Sequence, residues 1–219
     1  MHDLSVVIVD DHTLFRSGLS ELLDSRNVNV IGMTGRSSEA VSLVDEKRPD
    51  IVLLDLRMPE PGGLQVLEHI RELLPEQCVV ILTTSAEESD LLKALKLGAA
   101  GYLLKDMDPD NFAQLLRQAF EGETVVAPNL TGLLARVALS GRSSKKDASA
   151  NSYNLTPREM DILRHIGRGQ SNKEIASALG IVEGTVKLHV RAVLKKLGVQ
   201  SRVQAAVLAV SENLCEESG

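Results

Sequence analysis

The chain has 219 residues, 43% of them hydrophobic, enough for one large packed domain or two small ones and too many for a disordered or fibrous protein. Two cysteines, Cys78 and Cys215, make no disulfide framework or metal-ligand spacing; apolar runs such as 6–9 and 51–54 are too short for a bilayer, and no basic region precedes an apolar stretch at the N-terminus. A cytoplasmic protein with no membrane association is expected. The net charge of −6 hides an asymmetry: residues 1–124 carry 22 Asp and Glu against 11 Lys and Arg, a balance of −11, whereas residues 155–202 carry 4 against 9, a balance of +5. That contrast points to two modules with different partners.

From residue 4 to 120 short β-branched apolar runs alternate with segments of helical periodicity, the pattern of βαβ units around a parallel sheet. Strands are predicted at 5–9, 28–33, 51–54, 79–83 and 102–104. Helical faces between them are marked by Phe15, Leu19, Leu22 and Leu23, by Ala40, Val41 and Val44, by Leu67, Ile70 and Leu74, and by Leu91, Leu92 and Leu95. A fifth helix is expected to open with Asp108 as N-cap and Pro109 in its first turn, repeating Phe112, Leu115, Leu116 and Ala119 on one face. The first domain, 1–124, is therefore α/β, a doubly wound parallel sheet built as (βα)5.

Residues 125–154 read as a linker with one helix at 130–139, because GRSSKKDASANSYN over 141–154 has too little apolar content to order itself. The second domain, 155–219, opens on the capping box of Thr156, Pro157 and Glu159. A helix from there to about 167 is followed by a short one near 172–179, a break at Gly180, and a longer one near 183–197. A last helix starts at Ser201, with Gln204 completing a second capping box. The expected architecture is an all-α, four-helix domain containing a helix-turn-helix.

In a parallel sheet with right-handed crossovers the residues just past the strand ends gather on one edge. Here that edge collects Asp10 and Asp11, Asp55, Thr83 and Lys105. Three crowded carboxylates repel one another unless a cation holds them, and a hard divalent ion such as Mg²⁺ suits oxygen ligands of this kind. An ionised Asp needs no general base to act as a nucleophile, so Asp55 is suited to accept a phosphoryl group, with Lys105 stabilising the transferred charge and Thr83 bonding a phosphoryl oxygen.

These residues, in the contexts LLDLRMP and GYLLKD, resemble the flavodoxin-like receiver domain of two-component response regulators. The resemblance implies that Asp55 is the phosphoacceptor and that a sensor histidine kinase is the donor. It implies that Asp11, Asp55 and the backbone carbonyl of Arg57 bind Mg²⁺, with Asp10 acting through water. Thr83 and Tyr102 would form the switch pair, the ring turning inward as the hydroxyl moves toward the phosphoryl group. Two departures stand out. Asp106 follows the lysine where the family usually has proline. Arg57 occupies the place where phosphatases resembling the haloacid dehalogenase family carry their general acid, so a receiver that holds a phosphoryl group is expected rather than a turnover enzyme.

On the helix at 183–197, Val186, Val190, Val193 and Leu197 make an apolar face, while Lys187, Arg191 and Lys195 stand four residues apart on another. By itself such a stripe also describes an ordinary amphipathic helix. The stretches LTPREMDIL, SNKEIASALGI, GTVKLHVRAVLKKL and SRVQAA, in that order, resemble the LuxR-type DNA-binding domain of NarL/FixJ response regulators. That resemblance implies double-stranded promoter DNA as partner, with Lys187, Leu188 and Arg191 facing bases in the major groove and Asn172, Lys173, Thr185 and Lys195 near phosphates. It implies a homodimer through Val203, Ala206, Val207 and Val210 and contact with RNA polymerase, while the opposed charges of −11 and +5 motivate the expectation that the receiver covers the helix-turn-helix and releases it on phosphorylation. The stretch LLKDMDPDN resembles the nitrate- and nitrite-responsive members. Val182 stands where the family commonly has Ser or Thr, removing an N-cap that contributes about 1 kcal/mol.

Overall fold

The computed structural model describes residues 4–126, 153–199, 201–212 and 214. The linker stretch 141–152 and the expected helix at 130–139 lie outside them. Two compact units result, a sheet with its helices and a set of four helices.

In the first unit, strands β1 (Leu4–Val9), β2 (Val28–Thr34), β3 (Ile51–Leu54), β4 (Cys78–Thr83), β5 (Gly101–Leu104) and β6 (Val125–Val126) alternate with helices α1 (Thr13–Asp24), α2 (Ser37–Lys47), α3 (Gly63–Leu73), α4 (Glu88–Lys96) and α5 (Pro109–Phe120). The sheet is parallel throughout in the order β2-β1-β3-β4-β5-β6. Five strands match the expected ones to within a residue. The sixth is two residues long and pairs Val125 with Gly101 at the sheet edge, a pairing too short to leave a periodic signal in sequence.

Strand alternation divides the core between two faces. Val6, Ile8, Leu53, Val80, Leu82 and Leu103 pack with Leu19 and Leu23 of α1 and Phe112, Leu116 and Ala119 of α5. Their neighbours Val7, Val9, Val52, Leu54 and Ile81 point the other way, where Ala40 and Val44 of α2, Val66, Leu67 and Ile70 of α3 and Leu91 and Leu95 of α4 are buried. Strands buried on both faces explain the continuous apolar runs. The strand order reverses between β1 and β3, leaving a crevice at their C-terminal ends.

The second unit holds α6 (Pro157–Gly167), α7 (Asn172–Leu179), α8 (Glu183–Leu197) and α9 (Arg202–Ser211) around Ile162, Leu163, Ile166, Ile175, Val186, Val190, Val193, Ala205 and Ala209. Capping boxes start α6 at Thr156 and α9 at Ser201 as expected, and a third, Ser171 with Glu174, starts α7. Gly180 at φ 64° ends α7 and turns the chain into α8. Val182 is the N-cap of α8, and its side chain makes no capping bond.

Candidate functional site

The ends of β1, β3, β4 and β5 bring the acidic residues and their partners together. Asp55 follows β3 and is 2% exposed; its N–H donates to the Val9 carbonyl at 2.9 Å, which fixes the backbone beside the end of β1. Behind it Gly63, the first residue of α3, packs so tightly that a Cβ there would lie 2.0 Å from the Asp55 carbonyl oxygen. Glycine is therefore required for α3 to start this close to the acidic edge.

The Asp55 carboxylate is held from two sides. Oδ1 accepts from the Arg57 N–H at 3.0 Å, and Oδ2 lies 2.6 Å from the Lys105 ammonium. The same Nζ is 2.7 Å from Oδ2 of Asp10, itself 2% exposed, and 4.8 Å from the centre of the Phe15 ring. Lys105 thus bridges two buried carboxylates and balances part of their repulsion. The Asp106 departure leaves this intact: the Lys105–Asp106 peptide is trans and the Lys105 N–H donates to the Thr83 carbonyl at 3.0 Å.

Asp11 is partly exposed, yet its Oδ1 is shielded from solvent and accepts no hydrogen bond. Oxygens of Asp10, Asp11 and Asp55, together with a ring nitrogen of His12, lie within 4.8 Å of one another. Three carboxylates gathered at one strand edge, one with an oxygen that accepts no hydrogen bond, fit a divalent cation, so this cluster could hold a metal.

Thr83 is fully buried at the end of β4, and its Oγ1 accepts from the Ser85 N–H at 3.2 Å. Tyr102 is fully buried too, its ring inside the protein and its hydroxyl donating to the Ser85 carbonyl at 2.9 Å; burial pushes the phenol up to about 12. Both members of the expected switch pair therefore meet at Ser85. The Arg57 guanidinium reaches the same place, donating to Ser85 Oγ at 3.0 Å, Asp90 at 2.8 Å and Glu87 at 3.3 Å. Ser85 Oγ donates to Asp90 at 2.7 Å, so bonds run from the loop after Asp55 to the first turn of α4. Sequence reasoning found neither Ser85, the Arg57 side chain nor His12. His12 carried a legible signal, since it directly follows Asp10 and Asp11; the Ser85 network joins residues about thirty positions apart and carried none.

The basic stripe is present on α8. Leu188 is 66% exposed, Arg191 and Lys195 are exposed, and Lys187 and Thr185 are partly so, while Val186, Val190, Val193 and Leu197 face the core. Glu183 stands 3.9 Å from Lys187 one turn away. Lys173 on α7 is exposed, but Asn172 is buried, its Oδ1 accepting from the Arg202 guanidinium at 2.8 Å. Asn172 thus stands apart from the exposed basic residues. On α9, Ala205 and Ala209 are fully buried, whereas Val203, Val207 and Val210 line a partly exposed stripe; Ala206 leans on the domain's own core.

The pattern described as the response regulator receiver domain matches residues 6–117, and that of the bacterial regulatory proteins of the luxR family matches residues 153–209. The nitrate/nitrite response regulator protein NarL of Escherichia coli (strain K12) is 39% identical over 211 residues, covering 96% of each chain. Among solved structures, the response regulator ChrA of a heme-sensing two-component system aligns over 98% of this chain and all of its own, with 32% identity and a TM-score of 0.52. The response regulator RcsB in complex with DNA aligns over 96% of this chain and 99% of its own at 23% identity, a likeness of fold, with a TM-score of 0.58.

Proposed function

Since the chain belongs to the two-component response regulators of the NarL/FixJ type, DNA-binding transcription regulators that join a receiver to a luxR-type domain, we propose that phosphorylation of Asp55 switches its activity. The observation that carries this reading is the Asp55 carboxylate, buried at the strand end with Lys105 on one oxygen and the Arg57 N–H on the other. An Asp55 oxygen attacks the phosphorus of the donor, the P–O bond to Asp55 forms, and the leaving group departs with its electron pair. Lys105 stabilises the charge on the transferred oxygens and Thr83 bonds one of them, drawing on the links of Thr83 and Tyr102 to Ser85. Asp11, Asp55 and the Arg57 carbonyl, with Asp10 acting through water, would hold Mg²⁺, which when bound would supply the further neutralisation that phosphoryl transfer needs.

The donor is a sensor histidine kinase. With Arg57 where a general acid would stand, the receiver holds the phosphoryl group rather than turning over esters. The modified receiver frees the helix-turn-helix, an idea motivated by the opposed charges of −11 and +5, and two copies pair through Val203, Ala206, Val207 and Val210 on promoter DNA, within reach of RNA polymerase. Lys187, Leu188 and Arg191 then read bases, while Lys173, Thr185 and Lys195 contact phosphates. This work takes place in the cytoplasm, and the likeness to a nitrate/nitrite response regulator supports nitrate/nitrite-responsive genes as its targets.

Labelling with acetyl phosphate and Mg²⁺, followed by separation of the phosphorylated form, tests the proposal. The native chain should label and Asp55→Asn should not. Labelling that survives the substitution places the acceptor elsewhere.

A further inference from the structure

Gly184 is a glycine that the fold of α8 does not call for. It is the second residue of that helix, exposed to solvent, and its backbone is helical rather than left-handed, so no turn requires it. Packing does not require it either, since a Cβ built there meets nothing within 4 Å. Gly63, by contrast, is pressed against the Asp55 carbonyl, and Gly180 ends α7 at a positive φ. Glycine is a poor helix former, and here it opens a helix whose N-cap, Val182, makes no capping bond. Among the described residues nothing offsets that loss.

Its place on the helix supplies a reason. Lys187, Leu188 and Arg191 follow Gly184 by three, four and seven residues and Lys195 by eleven, the spacings of one helical face. Leu188, Arg191 and Lys195 are exposed, whereas Val186, Val190, Val193 and Leu197 face the core from the other side. Gly184 therefore heads the stripe assigned to DNA, in the first turn, the part of a recognition helix that meets base edges in the major groove. A side chain there would project about 1.5 Å or more beyond Cα toward the bases. Gly18 on α1 has similar room, but no residue assigned to a partner shares its face.

We propose that Gly184 is a specificity-determining position of the DNA interface: its bare backbone lets the first turn of α8 close on a base edge to a distance that any Cβ would prevent, and so sets how deeply Lys187, Leu188 and Arg191 reach. This rests on reading α8 as the helix that enters the major groove.

The test uses the full chain phosphorylated with acetyl phosphate and Mg²⁺. Duplexes that the native chain enriches from a random-sequence pool serve as the specific probe and a mixed-sequence duplex as the non-specific one. Gly184→Ala, Gly184→Leu and Lys187→Ala are compared with the native chain by binding titration and thermal unfolding. Gly184→Ala should raise the melting temperature of the second unit by about 2–6 °C, because alanine suits a helix better and meets no neighbour. It should nonetheless weaken binding to the enriched duplex about tenfold or more, with Gly184→Leu weaker still, while binding to the mixed-sequence duplex stays within about twofold. A merely structural glycine would not give opposite signs for stability and specific binding. The proposal is overturned if Gly184→Ala binds the enriched duplex within about twofold of the native chain, if it loses both kinds of binding in equal proportion, or if it melts lower as it binds less. Weakening by Lys187→Ala in those cases means that only the claim for Gly184 falls. If Lys187→Ala binds like the native chain, or the native chain enriches no sequence, the reading of α8 falls as well.

Discussion

Lys105→Met is the most direct probe of the electrostatics at the phosphoacceptor. The ammonium is 8% exposed and lies 2.7 Å from Asp10 and 2.6 Å from Asp55, whose side chains are 2% and 1% exposed. Methionine keeps most of the stem's packing but leaves two nearly buried carboxylates facing each other without the cation. Removing one partner of a buried ionic group costs about 3–5 kcal/mol. For a unit spanning residues 1–120, with its last strand at 125–126, each kcal/mol shifts the melting temperature by roughly 3–5 °C, so the receiver should melt about 10–20 °C lower. Differential scanning calorimetry at neutral pH with a chelator present measures this. The double variant Lys105→Met with Asp55→Asn should recover a large part of the loss, because one repelling charge has gone with the cation. A loss below about 1 kcal/mol, or a double variant as unstable as the two single effects added together, refutes the view that Lys105 holds an otherwise repulsive pair.

Four further outcomes are expected. Gly63→Ala, whose Cβ would stand 2.0 Å from the Asp55 carbonyl oxygen, should cost about 1–3 kcal/mol by denaturant unfolding and slow acetyl phosphate labelling, since α3 must shift against the acceptor. Val182→Ser should stabilise the second unit by about 1 kcal/mol in thermal unfolding, because Val182 is 71% exposed and already has N-cap backbone geometry. Burial raises the Glu159 carboxyl, but its bonds to Lys196 and to Thr156 outweigh this and hold it below the usual range. A lowered folded-state pKa stabilises above the unfolded value of ~4.3 and is lost as pH falls through the folded value, so unfolding of the second unit followed from pH 6 to about 3 should show an acid-sensitive component that Glu159→Gln removes. In DNA-binding titrations at several salt concentrations, Lys187→Ala should weaken specific binding, whereas Lys195→Ala should weaken all binding and flatten the salt dependence by about one ion; identical behaviour of the two contradicts the division into base and phosphate contacts.

The sequence by itself determined the two units, the parallel sheet and most element boundaries, because these follow from local signals. Apolar runs at 51–54 and 79–83 can only be strands buried on both faces, and Thr156 with Glu159 or Ser201 with Gln204 marks a helix start within four residues. Even the acidic edge was legible, since parallel strands place their C-terminal ends together whatever the loops do. The third capping box, Ser171 with Glu174, was equally open to reading.

The tertiary structure alone decided what depends on side-chain direction and on contacts between distant segments. Lys105 reaches Asp55 across fifty residues, and Arg57, Thr83 and Tyr102 converge on Ser85 from three separate elements; no periodicity encodes such meetings. Asn172, placed by resemblance near phosphates, is buried on Arg202, a matter of which way one side chain turns at a helix start. Pairing of Val125 with Gly101 needs a neighbouring strand to exist at all. His12 shows the boundary most sharply: its place after Asp10 and Asp11 was visible, but only the turn made by its N–H on the Asp10 carboxylate carries the imidazole over the acidic cluster.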